Sequence, residues 1–248
     1  MVSLKELSAF FPAYNEEENV EKMCSSLKKI LPQVAENFEI IIVNDGSKDR
    51  TKEIADRLAQ EYDDIRTLHH GKNLGYGAAI QSGIKACRKE YLFFTDGDMQ
   101  FDVSQLPQFV PHILNHDGVI GYRLNRRDPL IRKLNAWAWN RLVRLLFGLK
   151  VRDIDCAFKV FHRKVFEGMQ LESSGNMISA EMLIKIKERG FRLQERGVVH
   201  SPRLAGRQTG ADLRVILKAF KELFRFYVKF KEAKRRSLHP TETESMRV

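Results

Sequence analysis

What most constrains this chain is an alternation of two patterns. Across residues 1–121, short and almost wholly apolar runs are separated by longer amphipathic stretches. The runs "LSAFF" (7–11), "FEIIIV" (38–43), "IRTLH" (65–69), "YLFFT" (91–95) and "GVIGY" (118–122) predict strands, and the stretches near 17–31, 49–62, 75–88 and 104–115 predict helices. A strand such as "EIIIV" has no polar face, so both of its sides must be covered. Helices between such strands supply that cover, and the pattern predicts an α/β chain with a mostly parallel central sheet and helices on both faces.

Beyond residue 122 the rhythm changes. "DPLIRKLNAWAWNRLVRLLFGLK" (128–150) predicts an amphipathic helix, "CAFKVF" (156–161) a strand, "ISAEMLIKIKERG" (178–190) a helix stopped by Gly190, and "RLQERGVVH" (192–200) a further strand. A last helix is predicted over about 211–235, and the ending "LHPTETESMRV" reads as disordered. This gives one main domain over 1–210, a basic helix over 211–236 and a disordered tail over 237–248.

The net charge of +10 is concentrated in two places. Residues 122–152 hold nine Lys or Arg against one Asp, and residues 201–236 hold eleven against three acids, which leaves the remainder net acidic. Two basic segments on an acidic body predict a surface that meets anions, such as membrane headgroups or lipid phosphates. Nucleic acid would also account for the basic segments, but it is a remote alternative, because acids at the strand ends would repel it. The three cysteines, Cys24, Cys87 and Cys156, are far apart and show no CxxC spacing, so they read as reduced, buried thiols. No apolar run reaches the ~18 residues of a membrane span, and the opening residues turn acidic too soon for a signal peptide. The expected location is cytoplasmic, peripheral on the inner face of a membrane.

Ligands of open α/β sheets sit at the carboxyl ends of the strands. In "YLFFTDGDMQ" Asp96 and Asp98 stand two positions apart at such an end, and residues i and i+2 of a strand share a face. If extended geometry persists, the two carboxylates and Gln100 form a hard-cation site suited to Mg²⁺ or Mn²⁺. A "DGD" turn in a surface loop is the plain alternative. Asp45 ends the second strand and Glu16 follows the first, so acids occupy three strand ends, an arrangement that calls for a cation or ligand donors. The other reading is helix capping, which suits Asp49 and Glu17. Neither GxGxxG after the first strand nor GxxxxGK[ST] is present, so hydride transfer and P-loop chemistry are unsupported.

Taken in order, "PAYNEEENV", "VNDGSKDRT", "KNLGYGAAIQSGI", "TDGDMQ", "GYR", "VRDIDCAFKVF" and "AEMLIKIKERGF" resemble glycosyltransferase family 2, the inverting enzymes of GT-A fold. The similarity is closest to the polyprenyl-phosphate and dolichyl-phosphate mannose or glucose synthases. The resemblance implies a metal-dependent transfer of a sugar from a UDP- or GDP-linked donor to a lipid-phosphate acceptor, with Mg²⁺ or Mn²⁺ on the donor diphosphate. It implies a nucleoside pocket at Pro12, Ala13, Tyr14 and Glu16, with Asp45 at the base and Gly75 near the ribose. Asp96 would lie on the ribose or sugar side as a donor and catalytic residue and share the metal with Asp98 and Gln100. Arg123 and Arg132 resemble an acceptor-phosphate clamp, and Asp153 an acid of the acceptor site. The segment "CAFK" departs from the family's CGFR-like pattern at Ala157 and Lys159, and Ala136 stands where the clamp often has Ser.

The acceptor decides whether a base is needed. A hydroxyl must be deprotonated, for which Asp153 or Asp155 is the candidate. A phosphate monoester, with a second pKa of about 6, is already largely dianionic near neutral pH, and Asp153 could then orient cationic groups instead. In 211–231 apolar and basic residues fall on opposite helical faces, which suits either an interfacial helix on anionic lipid or a helix packed on protein. Trp137 and Trp139 pose the same alternative.

Overall fold

In the computed structural model the chain divides into two compact units, Met1–Arg207 and Gln208–Val248. The structure describes residues 3–124, 130–201 and 213–238. In the first unit the elements run β1 (Leu4–Ala13), α1 (Val20–Val34), β2 (Ala35–Asn44), α2 (Thr51–Glu61), β3 (Ile65–His69), α3 (Tyr76–Ala86), β4 (Tyr91–Phe94), α4 (Val110–Ile113), β5 (Gly118–Leu124), α5 (Leu130–Phe147), β6 (Lys159–His162), α6 (Ile178–Glu188) and β7 (Leu193–Val199). The second unit holds one helix, α7 (Leu213–Leu238).

The seven strands form one sheet in the order β3-β2-β1-β4-β6-β5-β7. Parallel pairing joins β1 to β2 and β4, β2 to β3, and β5 to β7, whereas β6 is antiparallel to both β4 and β5. Six strands therefore share one direction and β6 alone is reversed. That reversal matters for the site. The segment entering β6 arrives at the same sheet edge as the carboxyl ends of β4 and β5.

Side-chain alternation sends the two faces of β1 to different helices. Leu7, Ala9 and Phe11 join Ile40, Ile42 and Phe93 in a core shared with Met23, Leu27 and Leu31 of α1. Phe10, on the other face, stacks on Phe94 with ring centroids 5.2 Å apart and lies under α3, where a Cβ on Gly83 would strike its ring. Full burial of such side chains stabilises by about 1.5–3 kcal/mol each.

The predicted helix over 104–115 is broken into a 3₁₀ turn at Val103–Gln108 and the single turn of α4. Pro107 and Pro111 explain the break, since each removes an N–H from the helical ladder. The strand predicted over 156–161 begins later, at Lys159, and residues 154–155 form a turn. Gly190 does end its helix, with φ of +76° and its N–H donated to the Lys187 carbonyl. Cys24, Cys87 and Cys156 are free and buried, and burial pushes the thiols of Cys24 and Cys156 up to about 12. Of the expected tail, Ser237 and Leu238 continue α7, and 239–248 lie outside the described residues.

Candidate active site at the carboxyl edge of the sheet

The loops after β1 and β2 are built into one another. The Asn15 N–H donates to Ser47 Oγ at 3.0 Å, the Lys48 N–H returns a bond to Asn15 Oδ1 at 2.8 Å, and the Glu16 N–H donates to Thr51 Oγ1 at 2.8 Å. Asn15 adopts φ of 55°, a left-handed conformation that asparagine tolerates better than most residues. Glu16 is buried, and its carboxylate accepts a bond from Asn19 Nδ2 at 2.7 Å. Asp49 accepts from the Thr51 N–H and Glu17 from the Arg50 N–H, both at the start of α2, whose N-cap position is Arg50 and not Asp49. Tyr14 is exposed at the rim.

Asp45 organises the next loop. Its buried carboxylate accepts the N–H groups of Leu74 and Gly75, both at 2.9 Å, and lies 2.6 Å from His70 Nδ1. Gly75, at φ of +100°, takes a backbone conformation that L side chains rarely adopt. Gly77 is required for a different reason. Its N–H donates to the Ser174 carbonyl at 2.8 Å, and a Cβ there would collide with the carbonyls of Ser173 and Gly175. That covering loop is held from below by Glu181 of α6, fully buried, which accepts the N–H groups of Glu172 at 2.9 Å and Ser173 at 2.8 Å. Burial raises the Glu181 pKa, but the bonds from Lys185 and from the loop outweigh it and leave it lowered.

The acids after β4 do not continue a strand. Extended geometry stops at Phe94, residues 97–98 form a turn, and Met99 has φ of 59°. The i, i+2 strand argument for Asp96 and Asp98 therefore fails, and what brings them together is a turn. Asp98 Oδ1 accepts the Gln100 N–H at 3.1 Å, and the Gln100 amide donates to the Ser201 carbonyl at 3.1 Å. Asp96 Oδ1 accepts the hydroxyl of Tyr76 at 2.9 Å. The phenol is held well above its usual pKa, first by burial and then by the charges of Asp96, Asp155 and Asp98. The charges of three carboxylates thus act on one hydroxyl, which touches Asp96.

On the far side of the same edge, Arg123 at the end of β5 grips Asp153. Nε to Oδ2 and Nη2 to Oδ1 are both 2.7 Å, and the Arg123 N–H adds a third bond at 3.2 Å. Burial works against the guanidinium charge, yet Asp153 holds the Arg123 pKa above its ordinary value. Helix α5 anchors the loop that carries Asp153: Asn140 Oδ1 accepts the Ile154 N–H at 3.1 Å, and Arg144 Nε donates to the Val151 carbonyl at 3.0 Å. Arg132 falls within α5, but its side chain and residues 202–212 lie outside the described residues.

Among the described residues, no three His, Cys, Asp or Glu side chains converge closely enough to enclose a metal by themselves. Asp96 and Asp98 still fit one mode of binding. Mg²⁺ typically takes one or two carboxylates and completes its shell with water and substrate phosphate oxygens. Tyr76 and His70 are the site residues that sequence reading missed. Tyr76 stands between two glycines in "NLGYGAA", and the demand for small neighbours was the available signal.

The description "Glycosyl transferase family 2" fits residues 8–169, well over half of the chain and including both sides of this edge. Glycosyltransferase AglD of Haloferax volcanii is 35% identical over 210 residues, which cover 80% of this chain and 33% of that protein. Dodecaprenyl-phosphate galacturonate synthase of Rhizobium johnstonii is 31% identical over 170 residues, 67% of this chain and 50% of that one. Dolichyl-phosphate beta-glucosyltransferase ALG5A of Trichomonas vaginalis is 36% identical over 173 residues, 64% and 53% respectively. The chain thus spans a third to about half the length of these relatives. Among solved structures, glucosyl-3-phosphoglycerate synthase of Mycobacterium tuberculosis, crystallised with Mn²⁺, UDP and glucosyl-3-phosphoglycerate, superposes with a TM-score of 0.68 at 18% identity, covering 89% of this chain and 79% of that one. The fold is GT-A, and the chain belongs to glycosyltransferase family 2.

Proposed function

We propose that this protein transfers a sugar from a nucleotide-sugar donor, UDP- or GDP-linked, to a lipid-linked phosphate, most simply a polyprenyl phosphate. The observation that carries the reading is the division of one sheet edge into the acids after β4, Asp96 and Asp98, and a cationic position at Arg123. The named substrates of the relatives, dodecaprenyl and dolichyl phosphates, support the acceptor class.

In this reading the loops carrying Pro12, Ala13, Tyr14, Glu16, Asp45 and Gly75 form the donor's nucleoside pocket. Asp45 works there through the backbone it fixes. Asp96 and Asp98, with Gln100 beside them, would hold Mg²⁺ or Mn²⁺, which neutralises charge on the leaving diphosphate. Tyr76 orients Asp96 by donating its proton to Oδ1. Arg123, and Arg132 as its proposed companion, attract the acceptor phosphate.

The Arg123 to Asp153 geometry favours phosphate over hydroxyl as the acceptor. A carboxylate bonded through both oxygens to one guanidinium is a poor base, so Asp153 acts as the orienter of Arg123. Asp155 is then the base available to a hydroxyl acceptor, the second reading. A screen of UDP- and GDP-sugars with Mg²⁺ or Mn²⁺ and polyprenyl phosphate separates the two. Lipid-phosphate sugar is the expected product, and its absence with every donor overturns the proposal.

Membrane contact belongs to the same proposal. No helix among the described residues is long and apolar enough to cross a bilayer. On α5, Trp139 turns inward at 9% exposure, while Trp137 at 62% and Leu145 at 81% face outward beside Arg141 and Arg144. On α7, Leu223 is buried and Phe224 is 69% exposed between Lys221 and Arg225. Exposed aromatics flanked by cations suit an anionic membrane surface, on which the protein would lie as a peripheral enzyme.

A further inference from the structure

Lys159 is fully buried in the first position of β6, paired with Phe94 on one side and Ile120 on the other. A lysine in the middle of a seven-stranded sheet is costly unless its head group finds partners. Its Nζ turns back into the loop that precedes it, donating to the carbonyls of Ile154 at 3.3 Å and of Cys156. These are the residues on either side of Asp155, and Ile154 follows Asp153. The Phe94 ring lies beneath, 5.7 Å from Nζ to the centroid.

We propose that Lys159 is a positioning residue of the transfer centre: a fixed ammonium that holds the Asp153–Cys156 loop by its carbonyls and offsets the carboxylates converging on it from both halves of the site. Asp153 and Asp155, on the acceptor side, belong to the loop whose carbonyls Nζ holds, and Asp96, on the donor side, follows two residues after Phe94, the strand partner of Lys159. Burial, the largest influence, lowers the Lys159 pKa, and the three acids oppose it together with Cys156, whose thiol is itself pushed up to about 12 and so carries no charge at neutral pH. Arg123 is committed to Asp153 through both of its oxygens, whereas the Lys159 hydrogen bonds go to main-chain carbonyls and leave its charge to act through space on all three acids.

This inference rests on the donor-metal reading above, and its signature is a pair of effects of opposite sign. Lys159→Met removes a buried positive charge, so Mn²⁺ binding to nucleotide-free protein, followed by the electron paramagnetic resonance of free Mn²⁺, is expected to tighten by roughly three- to tenfold. The KM for the anionic acceptor is expected to rise by a similar factor. A side chain that only filled space would change neither, and one that only braced the fold would weaken both. Lys159→Gln keeps hydrogen-bond donors without the charge. It is expected to tighten Mn²⁺ binding while hydrogen exchange of amides 153–158 stays near the native rate, whereas in Lys159→Met that exchange accelerates.

Mn²⁺ affinity within twofold of the native value in both variants, or weakened in both, overturns the proposal. If neither neutral variant folds, Lys159→Arg must bind Mn²⁺ like the native protein, and a shift beyond about threefold overturns it. Native protein that binds no Mn²⁺ would sink the metal reading instead, and unchanged exchange in Lys159→Met would then sink this one. Native protein that binds Mn²⁺ but makes no lipid-linked sugar removes only the proposed function.

Discussion

The two halves of the sheet edge handle buried charge differently. On the β1–β4 side, carboxylates accept main-chain N–H groups as well as side-chain partners: Asp45 those of Leu74 and Gly75 beside His70, Asp98 that of Gln100, and Glu181 those of Glu172 and Ser173 beside Lys185. On the β5–β6 side, side-chain charges answer one another, with Arg123 on Asp153 and Lys159 near three acids. A carboxylate held by backbone fixes a loop and keeps its own negative charge for a cation. A carboxylate held by a guanidinium offsets part of the cation's charge along with its own and fixes the direction in which the guanidinium's remaining N–H groups point. The first arrangement suits a donor and its metal, the second an anionic acceptor.

The sharpest way to break this contrast is to remove one member of the charge pair. Arg123→Ala leaves Asp153 buried at 5% exposure without its bidentate partner, and stability is expected to fall by about 3–5 kcal/mol in denaturant titration. A loss below about 1 kcal/mol would mean that the acceptor half, like the donor half, is held by its backbone.

Asp98→Ala addresses the opposite side. If the donor-half acids are kept for a cation, sugar transfer should drop by about 10²–10³ in kcat, while stability falls less than in Arg123→Ala. Activity that survives this substitution unchanged would dismiss Asp98 as a metal ligand.

The two halves were also unequally legible in the sequence. Apolar runs marked β1, β2 and β4, because strands buried on both faces have nowhere to place polar residues, whereas β3, half-buried at the sheet edge, carries Arg66, Thr67 and His69. Asp98 was legible too, since "DGDMQ" carries its turn chemistry within two residues, whereas the N–H groups that hold Asp45 come from Leu74 and Gly75, far along the chain. The charge pairs were not. Arg123 and Asp153 are 30 positions apart, and only the reversal of β6 between β4 and β5 brings them together. Nothing in "CAFKVF" announces that direction. Lys159 appeared in the sequence only as a departure from a familiar pattern, although a lysine inside an apolar strand is itself a signal of a buried partner. Proline chemistry, by contrast, was fully present in 104–115 and would have predicted the broken helix.

A pH experiment sharpens the comparison within the donor half. The Glu181 pKa is lowered in the folded protein from an ordinary 4.5, so its contribution is fully present above that value and is lost as pH falls through the folded pKa. Glu181→Gln is expected to cost about 1–2 kcal/mol at pH 7 and to flatten the decline of the native melting temperature below pH 4.5. Melting curves that fall in parallel for the two proteins would remove Glu181 as the anchor of the loop over α3.

Tyr76→Phe should have the smallest effect, and it probes where the two halves meet. The hydroxyl is a side-chain donor to a donor-half carboxylate, and it lies within the fields of Asp96, Asp98 and Asp155 together. Its loss removes one bond to a charged acceptor at a cost of about 1–2 kcal/mol. Asp96 then loses that tether, and its charge is no longer partly spent on the phenol. Stability should fall slightly and the KM for the donor should rise, while the KM for the acceptor stays put, because Arg123 and Asp153 do not touch the phenol. An equal rise in both constants would mean that Asp96 serves the two substrates alike. The acid cluster would then be a single shared centre, and the division between backbone-held and side-chain-held charge would describe how the loops fold and not how the substrates are sorted.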